Sequence, residues 1–194
     1  MIISAIILAA GESKRMGRPK LLLPWGETTV LGQVISVLRS SGVEDIVTVT
    51  GGFREQVETV AMQFGSRVAF NEEYAGNEML SSVQCGLRSL KVEAEAALIC
   101  LGDQPQVQEG RVRRVRDTFE RSRSRLVVPS YQMRRGHPWL VARLLWEELL
   151  KMKSPQSPRD FLNSHAKEIE YVEIDSPSIL QDLDTPGDYL KFKP

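Results

Sequence analysis

The sequence predicts an α/β fold: a single domain over residues 1–194, with a mostly parallel sheet covered by helices on both faces in three layers. Three observations predict it. Strand-like and helix-like stretches alternate along the chain, as a βαβ series requires. The first apolar run, Ile2, Ile3, Ile6, Ile7 and Leu8, reads as a strand buried on both faces. Polar, glycine-containing turns follow several apolar runs, which is where open α/β sheets collect ligands.

The elements follow in order. Leu31, Val34, Ile35 and Leu38 recur at helical spacing, and Gly42 stops the helix before the strand Ile46 to Val49. Gly51-Gly52 turns the chain into a helix containing Val57, Val60 and Ala61. Val68 to Phe70 is a third strand, Ser81 to Leu90 a helix, and Ala96 to Leu101 a fourth strand. Val112, Val115 and Phe119 mark a helix, and Leu126 to Pro129 another strand. Apolar sequence after Trp139 reads as a strand, Leu144 to Leu150 as an amphipathic helix, and Ile169 to Ile174 as a strand. Pro186 opens the final helix, at a position where its missing N–H is harmless.

The loop after the first strand, Leu8-Ala-Ala-Gly-Glu-Ser-Lys-Arg-Met-Gly-Arg-Pro-Lys20, is the most informative stretch. Gly11 and Gly17 permit close backbone approaches, and Lys14, Arg15, Arg18 and Lys20 concentrate positive charge, a combination suited to polyphosphate. It is not a P-loop, since Arg18-Pro19-Lys20 follows Gly17 where that motif needs Lys-Ser/Thr. It is not the dinucleotide fingerprint either, because position 13 is Ser. A basic surface turn is the bland alternative.

Composition narrows the classes. Twenty-five Lys plus Arg balance 25 Asp plus Glu, so no global basic field recruits nucleic acid. The arginines from Arg111 to Arg125 read as a solvated helix face, with docking of a phosphate-bearing partner as the alternative. Cys85 and Cys100 are too few for a disulfide framework or a zinc site. The first apolar run is a poor signal peptide and no segment suits a membrane span, so cytoplasmic residence and no membrane partner are expected.

Two acidic positions stand where strands end. Asp103 follows Leu101-Gly102 and precedes Gln104-Pro105; it suits a metal, or a turn or cap before a helix near Val107. Gln181-Asp182-Leu183-Asp184-Thr185-Pro186 offers a second acid, although Asp184 or Thr185 also suits the helix N-terminus. Asn71 and the segment Gly76-Asn77-Glu78-Met79-Leu80-Ser81-Ser82-Val83 suit either ligand contact or ordinary capping. Arg135-Gly136-His137-Pro138 precedes the Trp139 strand, and His165, beside a helix-like stretch from Asp160 to Ser164, reads as structural.

The loop string resembles the signature of nucleotidyltransferases related to molybdenum cofactor cytidylyltransferase, a superfamily that includes the sugar-nucleotide pyrophosphorylases. Gly-Asp-Gln-Pro at 102–105, Gly-His-Pro at 136–138 and Asp-Leu-Asp-Thr-Pro at 182–186 resemble further family motifs, in order. The resemblance implies a Rossmann-like sheet of the nucleotide-diphospho-sugar transferase type. It implies that Leu8, Ala9, Ala10, Gly11, Asn71, Ser81, Ser82 and Gly102 bind the nucleotide. Arg15 and Lys20 would serve its phosphates, with Arg15, Lys20 and Asp103 catalytic. Asp103 and Asp184 would hold Mg2+, with Asp182 as the other candidate, and Gly136 and His137 would lie at the acceptor.

Ala10-Gly11 and Pro19, where GMP-transferring relatives tend to have Gly-Gly and Asp, favour CTP by the same resemblance. The implied reaction is attack of an acceptor phosphate, that of molybdopterin cofactor, on the α-phosphorus of CTP, with pyrophosphate leaving and a molybdoenzyme as a possible partner. Leu80 and Val83 depart from the family's Gly-Met-Ser-Ser-Ser pattern, which keeps a sugar- or polyol-phosphate acceptor open. A non-catalytic module that binds cofactor and hands it on is the remaining alternative.

Overall fold

The computed structural model describes residues 1–76 and 79–194. Asn77 and Glu78, singled out above, lie outside the described residues. The chain opens with β1 (Ile3–Ala9), whose side chains alternate between two cores. Ile3, Ala5, Ile7 and Ala9 enter one core and Ile6 the other. A burial pattern of this kind explains the continuous apolar run, because a strand covered on both faces has no polar side.

After a small hairpin, β2 (Pro24–Trp25) and β3 (Thr28–Thr29), come α1 (Val30–Ser40), β4 (Ile46–Thr50), α2 (Arg54–Gln63) and β5 (Arg67–Phe70). Then follow α3 (Met79–Arg88), β6 (Ala96–Leu101), α4 (Glu109–Ser122) and β7 (Leu126–Tyr131). The chain closes with β8 (Arg134–Arg135), β9 (Trp139–Ala142), α5 (Trp146–Lys151), α6 (Pro158–Ser164), β10 (Ile169–Glu173) and α7 (Pro186–Phe192). Helices α1, α2 and α4 pack through Leu31, Ile35, Val57, Ala61, Val112 and Val115 on one face of the main sheet. On the other face α3, α5 and α6 pack through Val83, Leu87, Trp146, Leu149, Phe161 and Leu162. The result is the expected three-layer α/β arrangement.

The sheet runs β10-β7-β9-β6-β1-β4-β5, with β8 paired to β7. Strand β1 lies parallel to both β4 and β6, with Leu8 opposite Val49 and Leu101. The carboxyl ends of these three strands therefore share one edge. Strand order reverses at β1, so the crevice between β1 and β6 is a topological switch point.

Strand β9 is antiparallel to both β6 and β7. Its direction follows from chain length. Residues 132–138 join β7 to β9, too few for a parallel crossover, which takes a dozen residues or more. The turn at its tip has positive φ at Gln132 and Met133.

The segment read as one helix from Leu144 to Leu150 divides into a 3-10 turn, Arg143–Leu145, followed by α5. Helix α6 covers the helix-like Asp160 to Ser164 and starts at a capping box: Ser157 accepts from Asp160 N, and the Asp160 carboxylate accepts from Ser157 N. The arginines of α4 do not simply stand in solvent, as expected from the charge run. Arg113 donates to Ser40 O at 2.7 Å and Arg116 to Ser41 O, satisfying carbonyls at the negative end of α1. Arg114 donates to Glu173 O and Arg111 to Ser178 Oγ, while Arg125, just beyond α4, pairs with Glu168 at 2.7 Å. Long guanidinium stems thus tie α4 to its neighbours. Among the described residues, no helix is long and apolar enough to cross a membrane.

Candidate active site

The loop after β1 folds back on itself. Met16 N and Gly17 N donate to Ser13 O at 3.0 and 3.1 Å, while Ser13 Oγ accepts from Lys20 N at 3.2 Å. Ser13 and Gly17 take positive φ to make this turn, and the buried Met16 anchors it to the core. The turn aims Arg15 and Lys20 at the crevice between β1 and β6. Lys20 Nζ donates to Asp103 Oδ2 and, at 3.1 Å, to Asp184 Oδ1. Arg15 takes the other Asp184 oxygen at 2.9 Å.

Neither acid stands at a helix N-cap position. Gln108 is the N-cap of α4, five residues beyond Asp103. Thr185 caps α7, accepting from Asp188 N while the Asp188 carboxylate accepts from Thr185 N at 2.8 Å. The two acidic segments are also stitched together, since Leu183 N donates to Asp103 O at 3.1 Å and the Leu183 side chain is fully buried. On either side of that anchor, Asp184 meets Lys20 and Asp182 accepts from Gln104 Nε2 at 2.7 Å.

Electrostatics separate the acids. Burial, reinforced by the Asp103 charge, raises the Asp182 pKa above its ordinary value, against the Gln104 hydrogen bond. Burial works to lower the Lys20 pKa, but the Asp103 and Asp184 carboxylates outweigh it and the net shift is upward. The ammonium is therefore charged at neutral pH.

These residues line a cleft of about 990 Å³ together with Leu8, Ala9, Ala10, Gly11 and Ser82. A contiguous recess of about 700 Å³ runs along Gly11 to Arg15 and again reaches Lys20 and Asp184. Asn71 stands behind the cleft: it is 4% exposed and donates to Ser81 Oγ at 3.0 Å and Ser82 Oγ at 3.1 Å. Of that trio Ser82 lines the cleft, with Asn71 and Ser81 buried beside it. Gly102 is likewise buried, its N–H donating to Leu8 O at 3.0 Å, so it joins the strand ends.

Gly136 and His137 belong to a second cavity, about 1320 Å³, that meets the first at Met79. Gly136 allows β8 to pass the 177–180 turn; a Cβ there would lie 2.5 Å from Ile179 O. His137 N donates to that same carbonyl at 3.1 Å. His137 also borders a small apolar cavity with Val34, Leu38 and Val107, and burial pushes its pKa down to about 4. Its imidazole is neutral at pH 7. His165 sits away from both cavities, between Glu148 at 2.9 Å and Glu168 at 3.0 Å.

Several wall residues escaped the sequence reading. Tyr74 and Leu21 line the first cavity, and Arg134 and Arg159 the second. One signal for Tyr74 was present. A Cβ at Gly51 would lie 2.5 Å from Tyr74 Cβ and 2.6 Å from Ala10 O, so Gly51-Gly52 marks a close approach as well as a turn.

A cation fits the donor set. Asp103 and Asp184 are hard oxygen donors at one edge, and Mg2+ or Mn2+ takes one or two carboxylates while phosphate oxygens and water complete its shell. Among the described residues, no group of three or more His, Cys, Asp or Glu is arranged to hold a metal by protein ligands alone.

The chain is 28% identical over 194 residues to molybdenum cofactor cytidylyltransferase of Escherichia coli K12, covering 98% of this chain and 95% of that protein. It is 27% identical over 191 residues to nicotine blue oxidoreductase of Paenarthrobacter nicotinovorans, covering 94% and 92%. Its fold is similar to that of Rv0371c of Mycobacterium tuberculosis H37Rv in complex with manganese, with TM-score 0.82, 28% identity, and 100% and 98% of the two chains covered. Residues 5–169 match the family model of the MobA-like NTP transferase domain. With a basic loop and two acids meeting at one sheet edge, the chain belongs to the MobA-like NTP transferase family of nucleotidyltransferases.

Proposed function

We propose that this chain is a Mg2+-dependent cytidylyltransferase domain that transfers CMP from CTP to the phosphate of molybdopterin cofactor and releases pyrophosphate. One observation carries the reading. Arg15, Lys20, Asp103 and Asp184 meet in a cleft whose wall is formed by residues 8–11. The choice of CTP is supported by Ala10-Gly11 and Pro19 and by the cytidylyltransferase relative of E. coli. The manganese complex of the mycobacterial relative supports a divalent cation.

In this reading Leu8, Ala9, Ala10 and Gly11 present the base with backbone groups, and Asn71 fixes Ser82 at the opposite wall. An acceptor phosphate oxygen forms a bond to the α-phosphorus as the bond to the bridging oxygen breaks. Arg15 and Lys20 neutralise the departing pyrophosphate, an electrostatic contribution aimed at charge that develops in the transition state. Asp103 and Asp184 would hold a divalent cation, which would supply charge neutralisation to the reacting phosphates. Gly136 and His137 shape the acceptor side; the neutral imidazole offers hydrogen bonding without adding charge. The acceptor is already ionised, so the step requires no general base.

A thermal-shift panel of CTP, GTP, UTP, ATP and dTTP with Mg2+, plus NADPH, tests the reading, because a ligand of the native state raises the melting temperature. CTP is expected to stabilise most. Selective stabilisation by GTP overturns the base assignment, and selective stabilisation by NADPH favours the chemistry named for the Paenarthrobacter relative.

A further inference from the structure

Lys20 occupies a position that the reaction alone does not explain. Its ammonium bonds to Asp103 and Asp184 at once, the two residues available to a divalent cation. The contact is sheltered: the Lys20 and Asp103 side chains are 16% and 17% exposed, so water and salt screen it poorly. Arg15 adds a second cation on the outer side of Asp184, where its own side chain is 73% exposed. Two positive side chains therefore balance two carboxylates before any ligand arrives.

We propose that Lys20 is the internal counter-ion of the acid pair and couples entry of the divalent cation to entry of the nucleotide. The inference rests on the nucleotidyltransferase reading of this cleft. A divalent cation arriving alone meets a full positive charge between its two ligands and must break two charge-assisted hydrogen bonds. A triphosphate arriving alone meets two carboxylates. Arriving together, the ligands exchange partners with the protein: phosphate oxygens take Lys20 and Arg15, and the cation takes Asp103 and Asp184. Each of the four side chains exchanges one partner of opposite charge for another, so none is left unpaired.

The local architecture suits such an exchange. Lys20 N is pinned to Ser13 Oγ at 3.2 Å, so the side chain pivots from a fixed base. Arg15, Lys20 and Asp184 line both the cleft and the recess beside it, so the ammonium passes from acids to phosphates without leaving the shared wall. A lysine fits this task better than an arginine, because its point charge rides on a flexible stem with no planar fork to realign.

The test is equilibrium binding of Mn2+, with free ion counted by electron paramagnetic resonance, to wild type, Lys20→Met and Arg15→Met. Each protein is measured with and without an α,β-methylene analogue of CTP. Without nucleotide, Lys20→Met is expected to bind Mn2+ about tenfold tighter than wild type, and Arg15→Met, which loses the same charge, about threefold or less. The analogue should tighten Mn2+ binding in wild type, and that gain should shrink in Lys20→Met. Lys20→Ala replaces Lys20→Met if the latter fails to give the wild-type circular dichroism spectrum.

Equal Mn2+ affinity in wild type and Lys20→Met overturns the coupling, as does an equal rise in both variants, which is a general charge effect. If nucleotide and Mn2+ still bind jointly in those cases, the nucleotidyltransferase reading stands without the coupling. Failure of Mn2+ to bind any of the proteins, even with the analogue, removes the metal assignment and the coupling with it.

Discussion

Lys20 Nζ lies 3.1 Å from Asp184 Oδ1, an ion pair between residues 164 positions apart in the chain. It joins the loop after β1 to the segment before α7, so the charged centre exists only when both ends of the fold are in place. Lys20→Ala is expected to keep the wild-type circular dichroism spectrum while pyrophosphate release falls by about 100-fold, matching the roughly 3 kcal/mol of a lost transition-state donor. Wild-type turnover in that variant would remove Lys20 from the reaction.

Gly51 sets the distance between the loop after β1 and the Tyr74 wall. Gly51→Ala places a Cβ 2.5 Å from Tyr74 Cβ and 2.6 Å from Ala10 O. Urea unfolding is expected to show a loss of about 1–3 kcal/mol from overpacking, and nucleotide affinity should fall, since both neighbours line the cleft. Gly110 in α4 is the control, with no atom within 4 Å of an added Cβ. Gly110→Ala should stabilise by about 0.5–1 kcal/mol and leave affinity unchanged.

The two histidines give stability opposite pH slopes. His137 has a folded pKa of about 4 against 6.5 unfolded, so its contribution is complete above pH 6.5 and is lost as pH falls towards 4, by roughly 3 kcal/mol. For His165, burial lowers the pKa but Glu168 and Glu148 outweigh it, and the net shift is upward. Its contribution is complete below pH 6.5 and is lost as pH rises through the folded value. Urea midpoints from pH 4 to 9 should show His137→Asn flattening the acid limb and His165→Gln the alkaline limb; unchanged limbs would refute both assignments.

Arg116 touches the fold and not the cleft. Its guanidinium donates to Ser41 O beyond the end of α1 and pairs with Glu120 at 3.8 Å. Arg116→Met is expected to cost about 1 kcal/mol in urea unfolding while leaving the dissociation constant of the nucleotide unchanged. Weakened nucleotide or acceptor binding at full stability would instead point to the docking role considered for this charge run.

Local patterns carried much of this architecture. The apolar run of β1, the basic loop, and the Pro186 start of α7 each declare themselves within a dozen residues, and each falls where the periodicity and the turn residues put it. Helix α6 was equally local: Asp160 to Ser164 reads as helical, and Ser157-Pro158-Arg159-Asp160 fixes its start two residues earlier. Strand β9 was different. Its apolar sequence is visible, whereas its antiparallel place between β6 and β7 depends on the short connection and on partners far away in the chain.

The candidate site divides along the same line. Arg15, Lys20, Asp103 and Asp184 stand at strand ends and in a family-like order, and they come together in the fold. Asp182 and Asp184 look alike in sequence; in the fold the buried Leu183 between them turns Asp182 to Gln104 and Asp184 to Lys20. Tyr74 and Leu21, with Arg134 and Arg159 of the second cavity, enter through long-range packing, for which no spacing rule exists.

The central claim is transfer of a nucleotidyl group, and the position of the transferred phosphorus tests it most directly. CTP labelled separately at the α- and γ-phosphorus is incubated with the protein, Mg2+ and molybdopterin cofactor. The account predicts that the α-label appears on the acceptor and the γ-label in pyrophosphate, in equal amounts. Transfer of the γ-label, or release of orthophosphate with the α-label left in CDP, would contradict it.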